Sequence, residues 1–276
     1  MRLIVEVISG RRQGHKMLVE PGGRLRIGRT DRADEMLPGD PKLGGAHLEL
    51  SFDGTSCRVR DLGAAGSAGT LLNGEAVAEA EVRHGDWLRA GETSLLVHYE
   101  AASARLARPT APVKARAIKA LRREPGPLYA VLDAAQSHRV LELLRQSPEQ
   151  VQSLYEGPQA EALADVAPYL VALPRDCWLL DALAHEGWGE AWGIYLVCPT
   201  RFAPLRRHLQ RFLMVEDEDT GEEMLFRFYD PRVLRVFLPT CSEWQKRELF
   251  GEIERFLVEG EDGELVRLVR GGGGEQ

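Results

Sequence analysis

Between positions 227 and 235, Arg227, Tyr229, Asp230, Arg232 and Arg235 place three cations, a phenol and a carboxylate close together in the chain. Guanidinium groups bind carboxylates and carbonyl oxygens through a planar fork. The chemistry such a cluster offers is recognition of a polypeptide, or an internal ion pair beside a capped helix, and the two can coexist. Val233, Leu234, Phe237 and Leu238 recur at helical spacing and are expected to turn inward, leaving Arg232 and Arg235 to face a partner. Trp188 and Trp192 flank the glycines of GWGEAWG. An exposed Trp188 would be a binding anchor, whereas Trp192 abuts the apolar run GIYLV and reads as core. The acidic run Asp217, Glu218 and Asp219 reads as a solvated hairpin loop.

Bond-making chemistry has no comparable address. The chain carries neither G-x-S-x-G nor G-x-x-x-x-G-K-[ST], and His185-Glu186 lacks the second His of a zincin helix. Cys57, Cys177, Cys198 and Cys241 are widely separated without a C-x-x-C, so buried reduced thiols are expected. The expectation is a protein with no catalytic residues, no cofactor and no metal.

The elements that must position these groups follow from charge and periodicity. With 35 basic and 42 acidic side chains the net charge is −7, which argues against a nucleic-acid partner. No apolar run approaches the ~18 residues of a spanning helix, and the start lacks the order of a signal peptide, so membrane insertion is not expected and the location reads as cytoplasmic. Charge divides the chain: residues 1–100 are net −2, residues 101–127 net +6, residues 128–276 net −11. The first stretch alternates in short apolar runs broken by PGG, DGT, NGE and AGE, the cadence of an all-β sandwich. Residues 101–127, rich in Ala, Pro and Arg, read as a basic exposed linker. Residues 128–270 read as mixed α/β: buried strands at LYAVLDA, YLVAL and WGIYLV, a helix at VLELLRQ, and a helix capped by Thr200. A hairpin from FLMVE to MLFRFY follows, then a helix starting at Asp230-Pro231, and a final long helix carrying Trp244, Phe250, Ile253, Phe256 and Leu257. Residues 271–276 read as a disordered tail.

Residues 2–99 resemble the forkhead-associated (FHA) phosphothreonine-binding domain. The resemblance rests on Ile27-Gly28-Arg29 after a strand, a loop ending in His47, Asp61-Leu62-Gly63, Gly69-Thr70 followed by Asn73-Gly74, and HGDWLRAG. It implies a sandwich that reads phosphothreonine through its loops. Arg29 would contact phosphate, Ser67, Thr70 and Asn73 would belong to the phosphopeptide-type loop, and His47 would support the loop. Gly44, Gly45 and Ala68 depart from the family's Ser, its Arg, Lys or Asn, and its peptide-binding Asn. At ~1–3 kcal/mol per lost contact, three losses remove at least about two decades of affinity. Weak phosphothreonine selectivity is therefore expected, with the module serving as a protein-docking surface.

From Leu128 to about Gly251 the chain resembles the type VI secretion adaptors, or effector chaperones, a former domain of unknown function. The resemblance rests on LYAVLDAA, LYEGPQAEALADVAPYLVAL, WGIYL, HLQRFLMV, FRFYDPRVLRVFLP and FG. It implies a noncatalytic bacterial protein that binds a secreted effector and helps load it on the VgrG spike protein. Little chain after Phe256 is left for the further helical lobe that many members carry. The combined expectation is a two-domain adaptor whose partner-binding groups are Arg227, Tyr229, Asp230, Arg232, Arg235 and Trp188. The alternative is a phosphothreonine-reading signalling protein that regulates secretion assembly.

Overall fold

A computed structural model describes residues 2–9, 12–63, 69–100, 112–157, 162–216 and 223–275. The chain forms two compact units, one of Met1–Ser103 with Arg145–Gln150 and one of Ala104–Leu144 with Val151–Gln276.

The first unit contains β1 (Leu3–Ser9), β2 (Lys16–Val19), β3 (Arg24–Gly28), β4 (Glu35–Met36), β5 (Leu48–Phe52) and β6 (Cys57–Asp61). It continues with β7 (Leu71–Leu72), β8 (Glu75–Ala76), β9 (Glu79–Val82), β10 (Trp87–Ala90) and β11 (Thr93–Tyr99). These strands make two sheets, β2-β1-β11-β10-β7-β8 and β4-β3-β5-β6-β9. Period-two alternation gives each sheet one apolar face. Leu3, Val5, Val7, Leu88, Leu95 and Val97 from one sheet share a core with Leu25, Ile27, Leu48, Leu50 and Val59 from the other. The all-β sandwich expected from the sequence is what forms.

The second unit is built on a seven-stranded antiparallel sheet. Its strands are β12 (Leu128–Asp133), β13 (Val151–Ser153), β14 (Pro168–Ala172), β15 (Gly193–Val197), β18 (Arg255–Glu259), β19 (Leu265–Val269) and β20 (Gly272–Glu275), in the order β13-β14-β12-β15-β18-β19-β20. A separate hairpin pairs β16 (Met214–Glu216) with β17 (Glu223–Leu225). Both faces of the sheet are buried, which is why its strands read as unbroken apolar runs. Along β12, Leu128, Ala130 and Leu132 enter one core while Tyr129 and Val131 enter the other. The first core is completed by α1 (Pro112–Arg123), α2 (His138–Arg145) and α3 (Trp178–Gly187). The second is completed by α4 (Phe202–Gln210), α5 (Pro231–Thr240) and α6 (Glu243–Phe250). The mixed α/β reading therefore holds, as helix layers on either side of one sheet.

Several expectations need correction. Residues 112–123, read as linker, are α1: Val113, Ala117 and Leu121 recur every four residues and face α3, with Ala117 and Leu121 buried. Arg122 pairs with Asp181 at 2.8 Å, and the Lys114 ammonium donates to the His185 carbonyl at 2.9 Å. Residues 101–111 lie outside the described residues. The residue in the N-cap position of α4 is Arg201, not Thr200, and it makes no side-chain capping bond. The final long helix stops at Phe250, because Gly251 turns to φ +49° and its hydrogen lies where a Cβ would strike the His208 ring. Phe256 and Leu257 belong to β18. In the expected tail, residues 272–275 pair with β19 as β20.

If α1 is part of the second unit's core, Leu121→Ala should cost about 3 kcal/mol, as buried leucine truncations do. Chemical denaturation of the full chain measures it, and a change within ~0.5 kcal/mol would return residues 112–123 to linker status.

Candidate functional site

In the first unit, the loop that leads from β3 to β5 is held by buried polar groups. β3 ends at Gly28, where a Cβ would meet the Gly45 carbonyl oxygen at 2.3 Å. That approach lets the Arg29 N–H donate to the Gly44 carbonyl (2.8 Å) and the Thr30 N–H to that of Gly45 (3.1 Å). His47 is fully buried; its Nδ1 accepts from the Gly44 N–H at 3.0 Å, and its backbone bonds both Ile27 and Leu62. It braces the loop, as the resemblance implied. Burial holds its imidazole below the ordinary pKa, in the neutral form whose Nδ1 is an acceptor.

The residues of the phosphopeptide-type loop fare differently. The Arg29 side chain is exposed, with no hydrogen-bond or ion-pair partner among the described residues. Arg32 reaches across the same loop: its Cδ lies 3.7 Å from where a Cβ on Gly45 would stand. Thr70 is buried and donates its hydroxyl to Asp61 at 3.2 Å. Asn73, at φ +50°, donates to Asp86 at 2.9 Å and accepts from the Trp87 N–H at 3.0 Å. Thr70 and Asn73 therefore serve the turn, whereas Arg29 offers its side chain outward. Ser67 and Ala68 lie outside the described residues.

In the second unit, the cluster at 227–235 is closed on itself. The Arg227 guanidinium donates to Asp133, which is buried at the end of β12 and also accepts from the Ala135 N–H at 3.0 Å. Burial alone would lower the Arg227 pKa, but the Asp133 carboxylate outweighs it and raises it. Tyr229 is in the core. Asp230 caps α5, accepting from the Arg232 N–H at 2.9 Å and from its guanidinium at 2.9 and 2.6 Å. Burial would push the Asp230 carboxyl up; the Arg232 contacts prevail and hold it below the usual range. The Arg235 guanidinium donates to the Glu259 carbonyl oxygen.

Trp188, expected as an exposed anchor, is 3% exposed and donates its indole N–H to the Gly263 carbonyl at 2.7 Å. Its ring packs on Tyr195, because the glycines beside it let the chain turn inward. Trp192 is partly buried against the same core, as expected. Two residues that the sequence reading passed over organise this region. Asp133 is one; a carboxylate closing a wholly apolar strand is the signal that a cation must return to it. Glu259 is the other, fastening the turn after Trp188 by accepting from the Gly189 and Ala191 N–H groups at 2.5 and 2.9 Å. The four cysteines are buried, and none is joined in a disulfide. Among the described residues, no helix is long and apolar enough to cross a membrane.

Comparison with known proteins assigns the two units differently. The family model described as the cytoplasmic domain of an inner membrane component of the T3SS matches residues 6–100. An FHA domain-containing protein of Arabidopsis thaliana is 33% identical over 96 residues, 33% of this chain and 24% of that protein. The first unit is an FHA-type β-sandwich. The chain spans about a quarter of that relative's length. Among solved structures, the FHA domain of an Arabidopsis thaliana hypothetical protein is 29% identical, covering 37% of this chain and 87% of that one with a TM-score of 0.34. A structure reported for phosphothreonine-dependent FHA domain interactions is 25% identical, covering 37% and 100% with a TM-score of 0.33. Residues 128–248 match the model for a domain of unknown function, DUF4123.

Two buried histidines give the FHA-type unit a pH signature. His47 is held neutral by burial, and His98, whose ring nitrogens make no hydrogen bond, is depressed to about 3. Unfolded histidines titrate near 6.5, so below that pH the unfolded chain takes up protons that the folded unit refuses. Stability is complete above about pH 6.5 and falls as pH drops below it, by up to ~1.4 kcal/mol per pH unit for each histidine. Denaturation of the full chain at pH 7 and pH 5 should show the loss, and His98→Leu should flatten the profile. A pH-independent midpoint would contradict this.

Proposed function

We propose that the protein is a noncatalytic bacterial adaptor of the cytoplasm that binds a type VI secretion effector and helps load it on the VgrG spike, its FHA-type unit adding a second protein-docking surface. The observation that carries this reading is the joining of two units of recognition character in one chain. In the second unit, the polar groups most capable of chemistry, Asp133, Arg227, Asp230 and Arg232, are consumed by one another. What that unit presents outward is a surface, and a surface serves binding.

Of the cations at 227–235, Arg232 is the one offered to a partner. Its side chain is 60% exposed and gives Asp230 two of its bonds; a guanidinium has five N–H donors, so others remain for carbonyl oxygens. Arg227 has a different weight, because removing it strands the buried Asp133 charge at a cost of about 3–5 kcal/mol. Deleting the gene should reduce export of the cognate toxin at least tenfold while tube-protein export continues. Arg232→Ala should lower toxin co-purification several-fold; because it also takes the guanidinium from the buried Asp230, stability falls as well, and co-purification is compared at a temperature where circular dichroism shows the variant folded. Undiminished export without the protein would sink the adaptor reading.

The exposed, unpaired Arg29 favours a second reading, a phosphothreonine reader regulating secretion assembly. Because Gly44 and Gly45 supply no donor side chains and the Arg29 and Thr30 N–H groups are spent inside the loop, the expected preference for a phosphothreonine peptide over its unphosphorylated twin is under about tenfold. Fluorescence anisotropy measures it. Selective binding a hundredfold or more above the twin, abolished by Arg29→Ala, would make the reader the better description.

A further inference from the structure

We propose that the pocket bounded by α3, β12, β15 and β18 binds a primary ammonium at the end of an alkyl chain, the head-group of a lysine side chain. Only the assignment of that lysine to a secreted effector rests on the adaptor reading.

Trp188, Trp192, Tyr195 and Glu259 line this pocket, and Leu132 and Leu183 complete its wall. The aromatic groups are held in place before any ligand arrives. The Trp188 indole is tied to the Gly263 carbonyl at 2.7 Å, and its ring centroid lies 6.0 Å from that of Tyr195. Trp192 sits against Gly187, where a Cβ would stand 2.4 Å from its Cε3, so glycine is what admits the ring. Tryptophan and tyrosine rings attract cations, most strongly where water is excluded. Trp188 and Tyr195 meet that condition, both being buried.

The polar groups and the size of the space say which cation. Glu259 spends its carboxylate on two neutral donors, the Gly189 and Ala191 N–H groups, whereas an ionised carboxylate has about four lone-pair sites. No side-chain cation pairs with it among the described residues: Arg235 acts on it at longer range and gives its guanidinium to the Glu259 carbonyl oxygen. The Tyr195 hydroxyl makes no hydrogen bond among the described residues. Burial, reinforced by the Glu259 charge, raises the phenol above its ordinary pKa and keeps its proton on, leaving oxygen lone pairs to accept. Two acceptors with sites to spare, one of them charged, suit an ammonium, which has three N–H donors and no acceptor. The free space is about 10 Å³, room for one group the size of a water molecule. A primary ammonium fits it; a guanidinium or a trimethylammonium does not. Trp192 is only partly buried, so an alkyl stem can lie along it toward solvent.

The test titrates the full, 15N-labelled chain with N-acetyl-lysine methylamide and follows the indole N–H resonances of its tryptophans. Those of Trp188 and Trp192 should move, and the norleucine, acetyllysine and trimethyllysine analogues should each bind at least tenfold more weakly. Tyr195→Phe removes only a hydroxyl that bonds nothing in the fold, so it should weaken lysine binding about tenfold with the unfolding midpoint unchanged. Glu259→Gln should abolish binding, but it also loosens the turn at Gly189–Ala191, so the tyrosine variant decides. No indole shift with the lysine compound would leave the pocket to water and overturn the proposal; equal binding of the norleucine analogue, or full binding by Tyr195→Phe, would overturn it too. Two sources of the ammonium are separated by toxin co-purification with Tyr195→Phe: a several-fold loss assigns the pocket to a lysine of the effector, and undiminished recovery, with n-butylamine bound, assigns it to free alkylamines. If the lysine compound binds as expected but toxin export does not depend on the protein, the adaptor reading fails and the pocket stands.

Discussion

A carboxylate buried at the end of β12 sets the arrangement of the second unit. Asp133 closes a strand whose every residue is buried, and an ionised carboxylate there costs several kcal/mol unless a cation and hydrogen-bond donors meet it. Arg227 is that cation, ninety-four residues along the chain, with the Ala135 N–H and the Gln136 amide as further donors. Once Arg227 is fixed, Phe228 and Tyr229 enter the core immediately after it, and Asp230 falls where its carboxylate caps α5. The hairpin before Arg227 and the helix after it are both placed by one ion pair. The backbone of Asp133 adds to this by donating to the Trp192 carbonyl at 2.7 Å, which ties the end of β12 to the turn leading into β15.

The FHA-type unit solves a similar problem with neutral and anionic groups inside its loops. His47 accepts from Gly44 and so fixes the chain that faces Arg29. Asp40, also buried, accepts from the Lys42 and Glu92 N–H groups and from the Thr93 hydroxyl, pinning the same loop to the turn between β10 and β11. Burial would raise the Asp40 carboxyl, yet these donors hold it below its ordinary range. A loop whose polar groups are this fully committed is a rigid platform. Its variable component is what side chains project from it, and here the glycines at 44 and 45 leave that to Arg29 and Arg32.

How legible this was in the sequence depended on whether the signal was local. The sandwich showed in period-two alternation and turn glycines, and the buried strands of the second unit in runs such as LYAVLD. The Asp230-Pro231 helix start was readable because cap and N1 preference act over two residues. α1 was not readable: only Val113, Ala117 and Leu121 mark its buried face, and five Lys or Arg side chains between Pro112 and Arg123 obscure them. The end of the last helix turned on Gly251, whose lack of a Cβ makes room for the ring of a histidine forty-three positions earlier. Trp188 misled for the same reason. Glycine neighbours suggested an exposed turn, but the carbonyl that receives its N–H is seventy-five residues away. Pairings over such distances leave no periodicity in a sequence.

The partition of polar and apolar groups in the second unit bears directly on how it recognises anything. Arginines that could have formed a basic recognition face are discharged against Asp133, Asp230 and Glu248, and an internally paired guanidinium gains little by exchanging one carboxylate for another. Among the described residues, Met214, Met224, Leu225, Val236 and Trp244 expose large apolar side chains. Burying such groups against a partner releases apolar surface from water at roughly 25 cal/mol per Å², with no desolvated charge to offset the gain.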